Sequence, residues 1–490
     1  MSSAGIEETS LLSPALGIRR PAERPDYFCN RFERLHTAAQ IAADAVTVAA
    51  AVLISYSAYH TLGLGKHVYY APDIIGGAAA GFAVLFVLML DRDGAYRQGS
   101  SLLRIKETER ALRVSTQGFL LAFPATFFAG RLFSRWWFAL AMAIVPLCLI
   151  AQKQLLFFLV RILHKKGYGI RRTVIYGAGY TGRRVFSALA RSLKLGLAPV
   201  AVVDDDPALA GQAVYEFDYR RRRSVPVVSG PVDRKLLLEL NAEVLVVAIP
   251  SLLPEKFLQT ASEAAAAGAS VAFVPNQAAA SDLWTQHVDV DGLLLSSIAG
   301  PAPKTLYEVG KRAFDFAAAA ALLLLLSPLL LAIAVLVRLD SAGPVLFRQQ
   351  RVGKHGKLFQ VYKFRTMHAG APLYSKSPTE SCDSRITHLG RFLRRSSLDE
   401  LPQLLNVLKG EMSLVGPRPE MPFLVETYSA RQRQRLQVLP GITGLWQLSA
   451  DRAFLIHENI QYDLYYIRHR SFFMDVAILL HTLVFAMRGV

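Results

Sequence analysis

The 490-residue chain carries 55 Lys and Arg against 38 Asp and Glu, a net charge of +17, yet 52% of it is apolar and only 19% charged. That length suits two or three domains, and basic charge combined with so much apolar content disfavours a nucleic-acid binder and points to a membrane protein facing anionic lipid. Three scattered cysteines, Cys29, Cys148 and Cys382, show no metal-ligand spacing and no disulfide framework.

The first thirty residues are polar and broken by Pro14, Pro21 and Pro25, so residues 1–35 read as a cytoplasmic tail rather than a cleavable signal peptide. Four apolar runs follow, at 39–58, 73–90, 114–130 and 136–152, each near the ~20 residues of a spanning helix. Their flanks orient them. Arg19, Arg20, Arg24, Arg31 and Arg34 precede the first run. Arg92, Arg97, Arg104, Lys106, Arg110 and Arg113 fill the loop after the second, and Lys153, Arg161, Lys165 and Lys166 follow the fourth. The other two loops hold only Lys66, Arg131 and Arg135. The positive-inside rule therefore predicts a four-helix transmembrane bundle over 36–165 with both ends cytoplasmic.

Residues 170–300 change character. TVIYGAG, PVAVVDDD, EVLVVAIP and SVAFVPN are short β-rich runs separated by helix-like segments such as PEKFLQTASEAAAAG, the alternation of a Rossmann-like parallel α/β domain. Its first turn places Gly177, Gly179 and Gly182 between a strand and a helix, with Asp204 further along. These are the parts of a dinucleotide fingerprint. Binding of NAD or another nucleotide, and a turn that joins strand to helix with no ligand, both remain open. The arginine run at 220–223 reads as a solvated or lipid-facing loop.

A fifth apolar run, 313–337, has Lys311 and Arg312 before it and Arg338, Arg348 and Arg351 after it, with Ser327-Pro328 in its middle. Proline removes a helix hydrogen bond and bends the axis. A re-entrant helix that bends at Ser327-Pro328 and returns to the same face satisfies the charge rule at both ends; a straight span is the alternative. The closing run, FFMDVAILLHTLVFAM, holds Asp475 and His481 and is short for crossing, which favours an interfacial or packed helix.

Within RRSSLDELPQLLNVLKGEMSLVGPRP, residues 394–419, Asp399 and Glu400 sit together among arginines. Ser397-Leu398-Asp399-Glu400 spells a capping box, and acids in a first turn suit the helix dipole. Pro402 conflicts with that register, because an intrahelical N–H should donate there. A helix opening near Pro402 and ending before Gly410 leaves both acids presented at its start rather than buried.

From Lys311 to the end the chain resembles the bacterial sugar transferase domain of polyisoprenyl-phosphate hexose-1-phosphate transferases, the monotopic phosphoglycosyl transferases. The resemblance runs through KRAFD (311–315), SP (327–328), DSAGPVLFRQQRVGKHGKLF (340–359), KFRTM (363–367), the long motif 383–419 and PGITGLWQ (440–447). The bundle and α/β domain ahead of it resemble the long form of that family. The resemblance implies a mostly helical catalytic domain, 305–490, carried on a re-entrant helix at the cytoplasmic face of the bacterial inner membrane. It implies transfer of a hexose-1-phosphate, glucose before galactose, from a UDP-sugar to undecaprenyl phosphate with release of UMP. This would be the first membrane step of exopolysaccharide, capsule or O-antigen synthesis. It further implies a homodimer, Asp399 as nucleophile in a phosphosugar-aspartyl intermediate, and Glu400 as holder of Mg²⁺, a cation that favours carboxylate and phosphate oxygens. A carboxylate is a workable nucleophile toward phosphorus. Both substrates carry phosphate, which arginine's planar fork suits, so Lys363, Arg365, Arg385, Arg394 and Arg418 are the expected binders, with Arg418 stiffened by Pro417 and Pro419. The surrounding arginines are expected to keep Asp399 ionised. Gly441, Gly444 and Trp446 suit either a uracil pocket or loop packing. After GLWQ the chain reads LSADR where the family has serine-glycine-arginine, so no role passes to Arg452.

Two rivals come from other classes. Tyr307-x-x-x-Lys311 matches the pair used by short-chain dehydrogenases, as in an NAD-dependent nucleotide-sugar dehydratase or epimerase, but it sits at the start of a membrane helix. A non-catalytic membrane scaffold is the other, and the intact acidic pair argues against it.

Overall fold

The computed structural model describes residues 27–65, 68–96, 104–128, 133–191, 196–215, 224–274, 284–290, 293–299, 305–368, 370, 383, 385–448 and 460–487. The arginine run at 220–223, Cys382 and Arg452 lie outside them. The chain divides into two compact units, residues 1–281 and 282–490.

The first unit opens with four helices, α1 (Tyr27–Thr61), α2 (Pro72–Arg92), α3 (Arg104–Phe128) and α4 (Arg135–Lys165). They close around Val48, Val52, Phe86, Leu90, Phe119, Val145 and Leu149, while Val46, Leu53, Val84, Leu88, Leu120 and Leu147 face outward. An apolar exterior of this extent belongs against lipid. The interior carries the charges: Lys153 Nζ donates to Asp44 Oδ2 at 2.6 Å, and Asp93 takes Arg110 at 3.0 Å and Arg113 at 2.7 Å. Ionisable groups in membrane helices turn inward and pair in this way. Within the described residues, α1, α2 and α4 are each long and apolar enough to cross a bilayer. The expected apolar run at 114–130 reaches past Phe128, its last two residues lying outside the described residues, and the four helices together fit a membrane bundle. The first half of α3 is charged and buries Glu107, Glu109 and Arg110 within the unit.

The second part of this unit alternates β1 (Arg171–Tyr176), α5 (Tyr180–Arg191), β2 (Leu197–Asp204), β3 (Ala213–Tyr215), β4 (Ser224–Ser229), α6 (Arg234–Glu239), β5 (Val244–Val247), α7 (Pro254–Ala266) and β6 (Ser270–Phe273). Strand order is β3-β4-β2-β1-β5-β6, parallel except for β3. Leu245 and Val203 pack on one face, Ile175 and Val202 on the other, the pattern of a sheet covered on both sides. The sequence places this domain over 170–300. The sheet ends at Phe273, and β7 (Trp284–Val290) with β8 (Leu293–Ala299) forms a separate antiparallel hairpin assigned to the second unit.

The second unit is built on α8 (Thr305–Asp340), continuous through Pro328. Pro328 cannot donate to the carbonyl of Leu324, and the Ser327 hydroxyl donates to that same oxygen at 2.7 Å. A Ser side chain thereby satisfies the freed backbone group, as membrane helices require. Leu324, Leu325 and Leu331 are at least two-thirds exposed mid-helix. Next come the hairpin β9 (Leu346–Val352) and β10 (Leu358–Phe364), α9 (His388–Arg395), a 3₁₀ turn (Leu398–Gln403), α10 (Leu404–Lys409) and β11 (Ser413–Val415). The chain finishes with α11 (Pro422–Glu426), α12 (Ala430–Arg433), β12 (Gly441–Thr443), α13 (Gln461–His469) and α14 (Phe472–Met487), and β12 pairs in parallel with β11.

Both ends of α8 are fastened to this unit. Near its start, Arg312 donates to the carbonyls of Val407 and Leu408 at 2.6 and 2.9 Å, closing the C-terminal end of α10. Asp315 accepts from Ser413 Oγ at 2.7 Å. Near its finish, Ile333 and Val337 pack with Phe364, Leu393 and Leu398.

Candidate active site

The acids do not cap a helix. Ser397 sits in the left-handed region at φ 57° and its side chain makes no capping bond. Asp399 and Glu400 lie in the 3₁₀ turn that follows, which accommodates Pro402 before α10 begins. That helix ends where Gly410 turns left-handed at φ 81°. The expectation that both acids are presented rather than buried is corrected: Asp399 keeps only 9% of its surface exposed, and Glu400 keeps 22% of its side chain.

Each acid meets a different environment. Burial pushes the Asp399 carboxyl up to about 6; the cation of Lys363 opposes this, the charge of Glu400 adds to it and Arg394 opposes it again. It accepts no hydrogen bond from another residue's side chain among the described residues. Glu400 is also disfavoured by burial, but Lys363 and then Arg418 outweigh that cost and hold its carboxyl below the usual glutamate range. Lys363 Nζ, on β10, donates to Glu400 Oε1 at 2.5 Å. The ionisation of Asp399 is thus set by burial against one lysine more than by surrounding arginines, and it titrates just below neutrality.

Of the expected phosphate binders, Lys363, Arg394 and Arg418 act directly on the two acids. The guanidinium of Arg418 makes no hydrogen bond or ion pair among the described residues, and Arg394 has a buried Nη1 without a partner. Such donors stand ready for an anion. Arg365 does not: it is buried and donates to the carbonyl oxygens of Pro344, Val337 and Ser341 and to Ser341 Oγ at 2.5–3.3 Å. It fastens the end of α8. Arg385 forks onto Asp383 at 2.6–3.1 Å, and its hydrogen bonds hold that carboxyl down to about 2.

A polar cluster joins the first turns of α8 to α14. Asp475 accepts from Tyr307 at 2.7 Å and from Lys311 at 2.9 Å, and the Tyr466 hydroxyl lies 2.7 Å from its other oxygen. Tyr307 and Lys311 therefore serve to dock α14 on α8 and are not arranged as a dehydrogenase pair. Gly416, Gly441 and Gly444 bring β11 and β12 into backbone contact, since a Cβ on Gly441 would fall 2.0 Å from the Gly416 nitrogen. Loop packing by itself therefore requires these glycines.

In the α/β domain the glycine turn follows β1. Gly177 has φ 110°, and a Cβ on Gly182 would lie 1.7 Å from the Gly177 carbonyl oxygen. Asp204 turns back onto this turn: Ala178 N–H donates to its Oδ2 at 2.6 Å and Asp206 N–H to its Oδ1 at 3.0 Å.

The bacterial sugar transferase family matches residues 306–489, and the CoA-binding domain family matches residues 92–228. The UDP-glucose:undecaprenyl-phosphate glucose-1-phosphate transferase of Caulobacter vibrioides is 43% identical over 198 residues, covering 39% of this chain and 74% of that protein. The chain belongs to the bacterial sugar transferase family. It is a phosphoglycosyl transferase. The undecaprenyl-phosphate galactose phosphotransferase of Salmonella typhimurium is 32% identical to this transferase over 347 residues, 66% of this chain and 69% of that one. The UDP-N-acetylgalactosamine-undecaprenyl-phosphate N-acetylgalactosaminephosphotransferase of Aeromonas hydrophila is 38% identical over 209 residues, and the match spans about half that relative's length, 49%, and 41% of this chain.

These relatives are named for different sugars. What the transferase contributes in its own right is the pairing of a buried acid near neutrality with a second acid held ionised.

Proposed function

We propose that the protein transfers a hexose-1-phosphate, glucose-1-phosphate first among the candidates, from a UDP-sugar to undecaprenyl phosphate, releasing UMP. The observation that carries this is Asp399, a buried carboxylate raised to about 6 with no side-chain partner, set beside an ionised Glu400 and the open guanidinium of Arg418. An Asp399 oxygen attacks the sugar-bearing phosphorus. The bond from that phosphorus to the bridging oxygen breaks, and UMP leaves with the oxygen. A phosphate oxygen of the lipid then attacks the same phosphorus, the aspartyl–phosphorus bond breaks, and the Asp399 carboxylate is restored. Arg418 and Arg394 offset the oxygens' charge where it builds.

A divalent cation is part of the reading. No group of three or more His, Cys, Asp or Glu converges among the described residues, so the protein offers no cage of its own. Glu400 is ionised, with Oε1 on Lys363 and Oε2 without a hydrogen bond among the described residues. That fits Mg²⁺, which is held by one or two carboxylates plus substrate phosphates. Glu400 would hold it, and it would neutralise phosphate charge.

Two features support α8 as a re-entrant helix that keeps the site on the cytoplasmic face. Its contacts at Arg312 and Ile333 would lie about 31 Å apart on a straight helix. Arg312 engages α10 at Val407, and Ile333 belongs to the apolar cluster that includes Leu398; Val407 and Leu398 are about 14–18 Å apart along helical backbone. A bend at Ser327-Pro328 would bring these two attachment points closer together. The exposed leucines at 324, 325 and 331 would then enter the lipid, while a cytosolic nucleotide sugar and the lipid's phosphate head meet at Asp399.

The test is UMP release by detergent-purified protein with Mg²⁺, undecaprenyl phosphate and a panel of UDP-sugars. Lipid-dependent release with one donor is expected, and loss in Asp399→Asn. Folded protein that releases no UMP with any donor overturns the reading.

A further inference from the structure

Arg435 lies in the run RQRQR of residues 431–435, where nothing in the pattern distinguishes it from its neighbours. In the structure it is only 3% exposed. Its Nη1 donates to the Tyr428 hydroxyl at 2.6 Å and lies 3.8 Å from Glu420 Oε1, and its Nη2 lies 2.8 Å from Asp463 Oδ2 and donates to the backbone carbonyl of Arg418 at 3.0 Å. A guanidinium with two acids against it is retained here despite the cost of burying charge.

Its contact with Arg418 belongs to a series. Four consecutive carbonyls along the bend after β11 are each held. Pro417 takes the Gly441 N–H at 2.9 Å, Arg418 takes Arg435, Pro419 takes Arg351 Nη1 at 3.3 Å, and Glu420 takes the Val352 N–H at 2.9 Å. Backbone donors secure the two ends and side chains the middle. The prolines at 417 and 419 fix φ on either side of Arg418. The segment so immobilised carries the one guanidinium that faces Glu400 without a hydrogen bond of its own among the described residues.

We infer that Arg435, clamped by Asp463 and Glu420, is a positioning residue for the transfer reaction: it holds the Pro417-Arg418-Pro419 bend so that the Arg418 guanidinium is aimed at the substrate's phosphates. The competing role is a general fold pin, whose loss would loosen the whole unit. Lysine keeps the charge but lacks the fork needed to hold Arg418 O and the acids together, so Arg435→Lys separates the two.

The inference rests on the proposed transfer only in its activity arm. Hydrogen exchange on the full-length, detergent-solubilised protein gives a readout independent of any ligand. Arg435→Lys should speed exchange across residues 414–421 by about tenfold, a loss of roughly 1.4 kcal/mol of local protection, and leave α10 and α14 unchanged. Unchanged exchange in 414–421, or equal acceleration through α10 and α14, overturns the inference. In the activity arm, kcat/KM for UMP release should fall on the order of 10–100-fold in Arg435→Lys and less than about twofold further when the change is added to Arg418→Lys, because residues acting as one unit are non-additive. Losses that simply multiply also overturn it. If the unsubstituted protein releases no UMP, the transfer reading fails by itself and the exchange measurement still decides the role of Arg435.

Discussion

Replacing Asp399 by asparagine should abolish transfer and make the protein more stable. The carboxyl is nearly enclosed, and burial lifts it from 3.8 to about 6. A shift of about two units corresponds to roughly 3 kcal/mol at about 1.4 kcal/mol per unit. The sign follows from linkage. A folded-state value above the unfolded one means that the folded protein binds this proton more tightly, so the penalty is absent below pH 3.8, grows as pH rises toward 6 and is complete above it. Asparagine has the same shape and no charge, and its amide retains some desolvation cost of its own. The net gain at pH 8 should therefore be about 1–3 kcal/mol, or roughly 2–10 °C in the unfolding midpoint of a domain this size. Midpoints measured in detergent at pH 5, 6, 7 and 8 for both proteins check this. The gap should widen with pH and level off above about 6.5. A substitution that destabilises at pH 8, or stabilises equally at pH 5 and 8, would refute the view that Asp399 is a charge held at a cost for function.

Lys363 is the largest favourable charge acting on both acids, so Lys363→Met should shift the acidic limb of kcat/KM to higher pH; an unmoved limb would mean that the limb reports another group. Asp204→Ala removes two N–H bonds at the glycine turn and should cost the α/β domain about 1–2 kcal/mol by chemical denaturation while leaving UMP release within about twofold; a tenfold loss of release would give that domain a part in the chemistry. Asp475→Ala removes the acceptor shared by Tyr307, Lys311 and Tyr466 and leaves the partly buried Lys311 with Asp315 at 3.6 Å; it should destabilise the second unit by about 1–3 kcal/mol, read as earlier proteolysis of the C-terminal helix, and full resistance would show that the helix docks without this group.

Patterns that depend on neighbours along the chain were legible in the sequence. The α/β alternation gave the parallel sheet, and Gly410 gave the end of α10. What the sequence obscured depends on partners far along the chain. Ser397 to Glu400 fits a capping box letter by letter, but Pro402 and a left-handed Ser397 turn the segment into a 3₁₀ turn whose acids face β10 and the bend at Arg418. Arg365 and Arg418 are equally basic in the sequence. Only the fold spends the first on carbonyl oxygens at the end of α8 and leaves the second open. The third apolar run shows the same dependence: ten charged or mixed residues ahead of it belong to the same helix, and the fold buries Glu107, Glu109 and Arg110 among them.

The glycine fingerprint shows how far a motif by itself can carry a functional argument. Gly177 is required by its left-handed φ and by Ile249, whose Cγ1 a Cβ would approach to 2.6 Å, and Gly182 by the carbonyl of Gly177. Both would be needed if nothing ever bound. Of the three glycines only Gly179 has open space where a Cβ would stand, so it alone leaves room for a pyrophosphate to approach. Asp204, the residue a dinucleotide's ribose would engage, already uses both oxygens on N–H groups of its own domain. Each oxygen accepts one N–H there, and a carboxylate oxygen has a second lone pair, so these bonds position Asp204 without using up its capacity to accept. Strand-to-helix packing explains Gly177 and Gly182, while the open space at Gly179 and the remaining lone pairs of Asp204 leave the turn able to take a ligand. Asp399 has no such internal explanation: it is buried, unpartnered by any side chain among the described residues and costly to keep charged, the terms on which the proposed chemistry would keep it.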